Sequence, residues 1–430
     1  MQVLLKNCGF IITQNRDRAI LKDFDILIEE GRIKEIKKGI SVSTRDCEIL
    51  DCGDKIVLPA FLNLHTHSPM TLLRGYKDDL ELHPWLQEIW KVEAKLKDKH
   101  FYIGAKFACL EMIKSGISCF LDMYFGMGSI FKAVAEAGIR GFLGEALMDF
   151  KEEGRTEEEI KKAEKFADFC IKAGNPLIKP VIAPHSIYTC SPSLLLRAKE
   201  IAREKGLLFT IHLSETRKEV FDCYKEHKKK PVNYLKDLNL LDEKFIAFHC
   251  VWITREEISI LAKSDAKAVH CPISNMKLAT GGVFPFREMK ESNILIGLGT
   301  DGACSNNSLN ILEEMKVACL LQKWFRWNAS EISSQEALDL VTINGAKILG
   351  INSGSIEEGK DADLVFLNKE HFSLLPSQNL ISNLVFSCSR EAISDLMVRG
   401  RFVMRDRKVL SMDEEKTKEE FKKALEELIA

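Results

Sequence analysis

From about residue 58 to residue 350, short apolar runs rich in Ile, Val and Phe alternate with longer stretches whose apolar positions recur every three or four residues. A short apolar run bounded by turn signals reads as a buried strand, and the longer period reads as an amphipathic helix. Their regular alternation is the pattern of repeated βα units. Eight candidate strands stand out: FLNL at 61, ISCFLDM at 117, IRGFLG at 139, IKPVIA at 178, LFTIH at 208, FIAFH at 245, KAVH at 267 and ILIGLGT at 294. Eight such units predict an α/β fold built on a (β/α)₈ TIM-like barrel. The flanks read differently. VLLKNCGFIIT, FDILIEEGRIKEIKK and CEILDCGDKIVLP are short strands with turns, and EEGRI reads as a hairpin turn in which Gly31 is free to take positive φ. Beyond 350, strand texture returns in DADLVFLN, LVFSCS and DLMVRGRFVM. The last stretch, DEEKTKEEFKKALEELIA, reads as a helix with Phe421, Leu425 and Leu428 on one side. The expected organisation is a first β-sandwich segment (1–57), a metal-dependent barrel (58–350) and a second sandwich segment plus C-terminal helix (351–430). The two ends would pair into one small flanking lobe.

Composition narrows the class. A chain of 430 residues with 46% hydrophobic and 29% charged residues is that of a globular protein with more than one core. With 61 basic against 63 acidic residues, nothing draws it toward nucleic acid or an anionic membrane. No run of eighteen apolar residues is present, and MQVLLKNCGF lacks a secretory pattern. Thirteen cysteines without a CxxC do not form a disulfide framework, so a reduced, cytoplasmic setting is expected. Self-association into a homo-oligomer is left open.

Chemistry concentrates where the strands end. NLHTHSPMTLLRG places His65 and His67 two apart, so both side chains look the same way from an extended chain. Ten histidines in 430 residues give about 0.2 such pairs by chance, so the pair needs outside support. The other strand ends supply it. The fourth leads into APHSIYT with His185, and the fifth ends in IHLSE with His212 and Glu215. The sixth ends at His249, the seventh at His270, and the eighth runs into GLGTDGACSNN with Asp301. Barrel enzymes carry their chemistry at this end. Any one of these histidines is readily explained as a hydrogen-bonded core residue; so many at one end is not. His83, His100, His227 and His371 lie in charged loop or helix texture and read as surface residues.

These segments together, with HCPISNMKLATGG, GTDGACSNNSLNILEEM and SIEEGKDADLVFL, resemble the amidohydrolase superfamily. Within it the chain resembles the 5′-methylthioadenosine/S-adenosylhomocysteine deaminases and their 5′-deoxyadenosine deaminase relatives. The resemblance implies a metal-dependent barrel with a flanking β-sandwich. It also implies a hydrolase of C–N bonds in cyclic amidines, active in salvage of S-adenosylmethionine by-products. Carried over by position, His65, His67, His212 and Asp301 match the metal ligands, and Glu215 and His249 the proton-handling pair. Trp85, Glu93 and His185 match substrate contacts.

The implied reaction replaces a purine amino group by a carbonyl, with hydroxide attacking C6. Water ionises with a pKa of about 15.7 in bulk and about 7 on zinc, on the order of 12 kcal/mol of easier ionisation. A positioned base alone supplies only about 10²- to 10⁴-fold. The expected cofactor is therefore one divalent metal ion, zinc first, with Fe²⁺, Ni²⁺ or Mn²⁺ as alternatives. Asp301 would accept the water's proton, His249 orient the attacking oxygen, and Glu215 protonate the ring nitrogen and then the leaving ammonia. The competing reading of Glu215 is a solvated carboxylate in the first turn of a helix. That of Trp85 is core packing in an ordinary amphipathic helix with Ile89 and Val92; otherwise Trp85 stacks on the purine and Glu93 holds the ribose hydroxyls. Family members that bind S-adenosylhomocysteine are expected to meet its carboxylate with two arginines. Arg155 in KEEGRTEEE matches one, but Glu145 in LGEALMD stands at the other position, where it would meet the substrate's ammonium instead. The expected preference is for 5′-deoxyadenosine, methylthioadenosine or adenosine over S-adenosylhomocysteine. The rival functions are an aminohydrolase of guanine, a triazine or another amino-heterocycle, a hydrolase of cyclic amides or imidazolones, and a metal-binding scaffold without catalysis.

Overall fold

The computed structural model describes residues 2–43 and 47–429. Its centre is a ring of eight parallel strands. The first four, Phe61–Thr66, Ile117–Tyr124, Arg140–Leu147 and Ile178–Pro180 continuing in Ala183–Pro184, pair in sequence order. The last four, Phe209–Leu213, Phe245–His249, Lys267–His270 and Ile296–Leu298, do the same. Bridges Ile182 to Phe209 and Ser186 to His212 join the two halves. The ring closes where the Asp301 amide donates to the His65 carbonyl (2.9 Å) and the Thr300 amide to Asn63 Oδ1 (2.9 Å). Every predicted barrel strand is present; the fourth is split in two beside Pro180, which has no amide to donate.

These strands are buried on both faces, which is why they read as continuous apolar runs rather than alternating ones. Leu64, Leu121, Phe142, Val181, Phe248 and Val269 form one cluster although they come from the first, second, third, fourth, sixth and seventh strands. Side chains from non-adjacent strands meet only inside the ring. The opposite faces join the large cluster under the surrounding helices.

Both chain ends build the flank. Lys55–Pro59 and Leu364–Asn368 pair antiparallel at the heart of a seven-stranded sheet that also takes in Phe10–Ile12, Ile393–Val398 and Arg401–Arg405. A four-stranded sheet containing Gln2–Cys8 and Phe24–Glu29 packs on it through Val3, Leu5, Ile26 and Ile28 against Val57, Leu364 and Phe366. The Gly31 turn has φ +79°, and a Cβ there would stand 2.7 Å from the Arg399 carbonyl oxygen. Arg140, at the entering end of the third barrel strand, ties barrel to flank by pairing with Asp361 (2.7 Å) and Asp363 (2.8 Å). The C-terminal helix Glu414–Ile429 leans on the helix Asp98–Lys114, Phe421 stacking on Phe107 at 4.0 Å.

One expected strand is a helix. LVFSCS lies at the end and just beyond the helix Leu380–Phe386, whose first turn is capped by the Asn379 side chain accepting from the Ser382 amide (3.0 Å). A short apolar run carries no period that separates strand from helix, and the cap decides it.

Candidate metal and catalytic centre

At the C-terminal ends of the barrel strands, three imidazoles face one another. The register of the first strand slips between Asn63 and Thr66, an irregularity of the kind that re-aims side chains. His65 lies flat on Phe248 with ring centroids 3.9 Å apart. His67 Nδ1 is 2.5 Å from the Met123 carbonyl oxygen, and His212 Nδ1 is 2.8 Å from that of His185. With Nδ1–H donated to a carbonyl, each ring keeps its Nε2 lone pair for the interior. Ligand nitrogens of His65, His67 and His212 all lie within 4.8 Å of one another. Asp301 completes the set, Oδ1 standing 3.4 Å from His65 Nε2 and 3.2 Å from His67 Nε2. Its other oxygen accepts from Ser274 Oγ (2.6 Å). Gly299 permits the approach, since a Cβ there would come within 2.6 Å of His65 Cβ.

The donor set fits a divalent cation. Both ring nitrogens of His65 are buried without a hydrogen-bond partner, as is His249 Nε2. Burial pushes the His65 imidazole down to about 4 and, with neighbouring imidazoles adding, His212 well below the usual range, so both are neutral donors. Burial raises Asp301, but contact with His65 and His67 overrides it and holds the carboxyl well below its ordinary value. Burial likewise lowers His67, yet its contacts with Asp301 lift it to about 9, a measure of how strongly this spot favours positive charge. Three imidazoles and one carboxylate are a donor set that suits zinc and leaves a position for water.

Glu215 and His249 adjoin this centre. Glu215 Oε1 lies 3.6 Å from His249 Nδ1, and Asn275 Nδ2 reaches both, 3.5 Å from the carboxylate and 3.0 Å from the imidazole. Burial, with the charges of Asp301 and Glu219 adding, pushes the Glu215 carboxyl well above the carboxylate range. Burial also lowers His249 to about 3. With Asn275 donating to Nδ1, the neutral His249 ring carries its proton on Nε2. Glu219 fastens the loop beneath by accepting from the Ser214 (2.8 Å) and Glu215 (2.9 Å) amides.

Trp85, Glu93, His185, Glu215, His249 and Asp301 line one cavity. The helix Leu82–Glu93 roofs it with Leu82, Trp85, Leu86, Trp90 and Glu93, positions that share a helix face. Glu93 accepts from the Tyr124 hydroxyl at 2.5 Å, and burial raises its carboxyl. Trp85 Nε1 is buried without a partner. His185 Nδ1 is 2.9 Å from Thr189 Oγ1. The cavity has a free volume of about 50 Å³ and is partly open to solvent.

Several expected residues stand elsewhere. Arg155 does not line the cavity: it is part-exposed, paired with Glu152 (3.0 Å), its guanidinium over Phe150, which packs against Trp90. Glu145 does not face a substrate ammonium. Its carboxylate accepts from the Gly126 (3.0 Å) and Met127 (3.2 Å) amides, holding the unpaired start of the helix Met127–Ala137. Among the described residues no lysine or arginine lines the cavity. His270 stacks on Phe284 (4.5 Å) and stays outside the lining. His100, expected at the surface, is buried and accepts from the Lys97 amide (3.0 Å); His83, His227 and His371 are half-buried. Sequence reasoning missed Asn275, Ser274, Glu219 and Tyr124. They sit inside or beside the quoted motifs, but an amide or hydroxyl that bonds to a distant loop has no spacing signature.

The model of the amidohydrolase family matches residues 56–403. A 5-methylthioadenosine/S-adenosylhomocysteine deaminase of Pyrococcus horikoshii is 44% identical over 92% of this chain and 94% of its own. A 5′-deoxyadenosine deaminase of Methanocaldococcus jannaschii is 41% identical over 92% of this chain and 94% of its own. The structure of an adenosine deaminase from Xanthomonas campestris with bound zinc superposes with a TM-score of 0.93 at 28% identity, covering 99% of this chain and 98% of that one.

Proposed function

Because the chain belongs to the amidohydrolase family, we propose that it is a hydrolytic deaminase of adenosine-type nucleosides, releasing ammonia and the inosine analogue. The substrate class comprises 5′-deoxyadenosine, 5′-methylthioadenosine and S-adenosylhomocysteine, following the names of its relatives, and adenosine, following that of its structural neighbour. The observation that carries the reading is the meeting of a three-imidazole, one-carboxylate donor set with a raised carboxyl, Glu215, in one cavity. We assign the catalytic unit to residues 58–350 and the flanking lobe to 1–57 and 351–430.

His65, His67, His212 and Asp301 would hold one divalent ion, with zinc the best match to these donors. The metal, when bound, supplies the Lewis acidity that ionises water near neutral pH. Asp301 takes the water's proton, and His249 directs a hydrogen bond from Nε2 at the attacking oxygen. Glu215, protonated because it is buried, gives its proton to purine N1, recovers one from the C6 hydroxyl as the carbonyl forms, and passes it to the departing amine as the C6–N bond breaks; the proton left on Asp301 then restores Glu215. Trp85 packs on the base, Glu93 accepts from the ribose hydroxyls and His185 supplies a further polar contact. The thirteen thiols, all free, agree with a reducing compartment. No helix of the described residues is long and apolar enough to cross a membrane.

A cavity lining without lysine or arginine supports neutral 5′ substituents over the amino-acid tail of S-adenosylhomocysteine, whose carboxylate would be buried unpaired. The test is kcat/KM across a panel of adenosines varied at the 5′ position, read by absorbance on conversion to inosines. The expected order places 5′-deoxyadenosine and methylthioadenosine first. A hundredfold preference for S-adenosylhomocysteine overturns the order, and ammonia release from guanine but from no adenosine overturns the substrate class.

A further inference from the structure

At the opposite end of the barrel, where strands four to seven begin, lies a second cavity of about 360 Å³. Its apolar floor is the half-buried pair Leu207 and Leu208, with Phe142 and Ile348 buried beneath, and around it stand Lys179, Lys244, Lys267 and Lys347 with a single carboxylate, Glu243. Among the described residues none of these four ammonium groups has a carboxylate oxygen within 4.0 Å. The nearby Asp242 is already taken by Lys199 (2.7 Å) and Arg203 (3.7 Å). Two of the lysines have a partial structural role: Lys244 Nζ donates to the Gly206 carbonyl (2.9 Å) and Lys267 Nζ to that of Glu243. Each ammonium has three donors, so both keep two to spare. Lys179 stands over the Phe142 ring at 5.7 Å, and Lys347 projects from the helix Ile343–Leu349. Burial pulls the Lys267 ammonium down against the opposing pull of Glu243, Asp265 and Asp242.

Four like charges around one concavity repel one another and focus a positive field into it. Apolar floor and cationic rim match the two halves of a nucleotide, and the volume falls within the range of small-molecule sites. The geometry points to a binding site for a nucleoside polyphosphate, with the base on the apolar floor and the phosphates on the lysines. Lys244 and His249 bracket the sixth barrel strand, Phe245–His249, so this site lies roughly 16 Å from the metal-binding end. It is separate from the deaminase reading and does not rest on it.

The experiment is calorimetric titration of the full-length holoenzyme with ADP and, separately, with inorganic diphosphate at low salt. It is repeated on the Lys179→Gln/Lys347→Gln double variant, which removes two side chains exposed at the rim and leaves the catalytic end untouched. ADP should bind saturably, more tightly than diphosphate. It should weaken at least about tenfold in the double variant, and again on raising salt, while adenosine turnover stays the same. ADP binding indifferent to the double substitution, as expected if it sits only in the catalytic cavity, overturns the proposal. So does diphosphate binding as tightly as ADP, which would mean an anion site without a base subsite, or the absence of saturable ADP binding.

Discussion

Asp301 and His249 both take left-handed backbone conformations, with φ +62° and +68°. Such a conformation costs a non-glycine residue about 1–2 kcal/mol, and here it falls on residues of the proposed metal and catalytic centre. The strain is held by Ser274 on Asp301 and Asn275 on His249. Replacing Asn275 by Ala should lower kcat about 10- to 100-fold with bound metal unchanged, because it removes what orients His249 and Glu215 rather than a ligand. Unchanged kcat would remove Asn275 from the machinery. Glu215→Gln should retain metal and lose about 10²- to 10⁴-fold in kcat. Its pH profile carries the sign of the shift. A carboxyl raised by burial is protonated, hence an acid, at low pH and loses that proton as pH climbs. Wild-type activity should fall along an alkaline limb that the residual activity of the Gln variant lacks.

Elements place these residues with differing legibility. Strand ends were readable because ligating and acidic side chains interrupt apolar runs, as His249 does after FIAF and His212 after FTI. Helix caps were not. Glu145 sits on a barrel strand in a sequence that looks like a substrate-facing position, yet its carboxylate holds the start of the next helix. Glu145→Ala should cost about 1–2 kcal/mol in denaturant titration and leave the ratio of kcat/KM between methylthioadenosine and S-adenosylhomocysteine within about twofold. A changed ratio would return Glu145 to the substrate. LVFSCS failed as a strand for a related reason, since the deciding contact is a single cap from Asn379. In the helix Leu82–Glu93, Trp85 is a packed core residue, as the competing reading has it, and it also forms part of the cavity wall.

Across the whole molecule, the barrel and its flank were legible because their periods differ, whereas the tie between them, Arg140 with Asp361 and Asp363, joins residues more than 200 apart. The buried imidazoles disfavour the fold in acid. Burial depresses His65 to about 4 and His185, His249 and His270 to about 3. Groups that are neutral when folded but titrate near 6.5 when unfolded cost nothing above that pH and destabilise increasingly below it, each by roughly 2 kcal/mol at pH 5. Buried carboxyls such as Glu219, raised to about 7, change stability with the opposite sign over the same interval, so the imidazole share is read by substitution: His270→Asn should make Tm fall less between pH 6.5 and 4.5 than it does in the wild type, and an identical pH dependence would contradict the burial of this ring.

The centre itself is tested most directly by titrating metal-free protein with zinc while following ammonia release from 5′-deoxyadenosine. Activity should be absent at the start and rise in proportion to bound zinc, reaching its plateau at one ion per chain. Full turnover before any zinc is added would contradict the account.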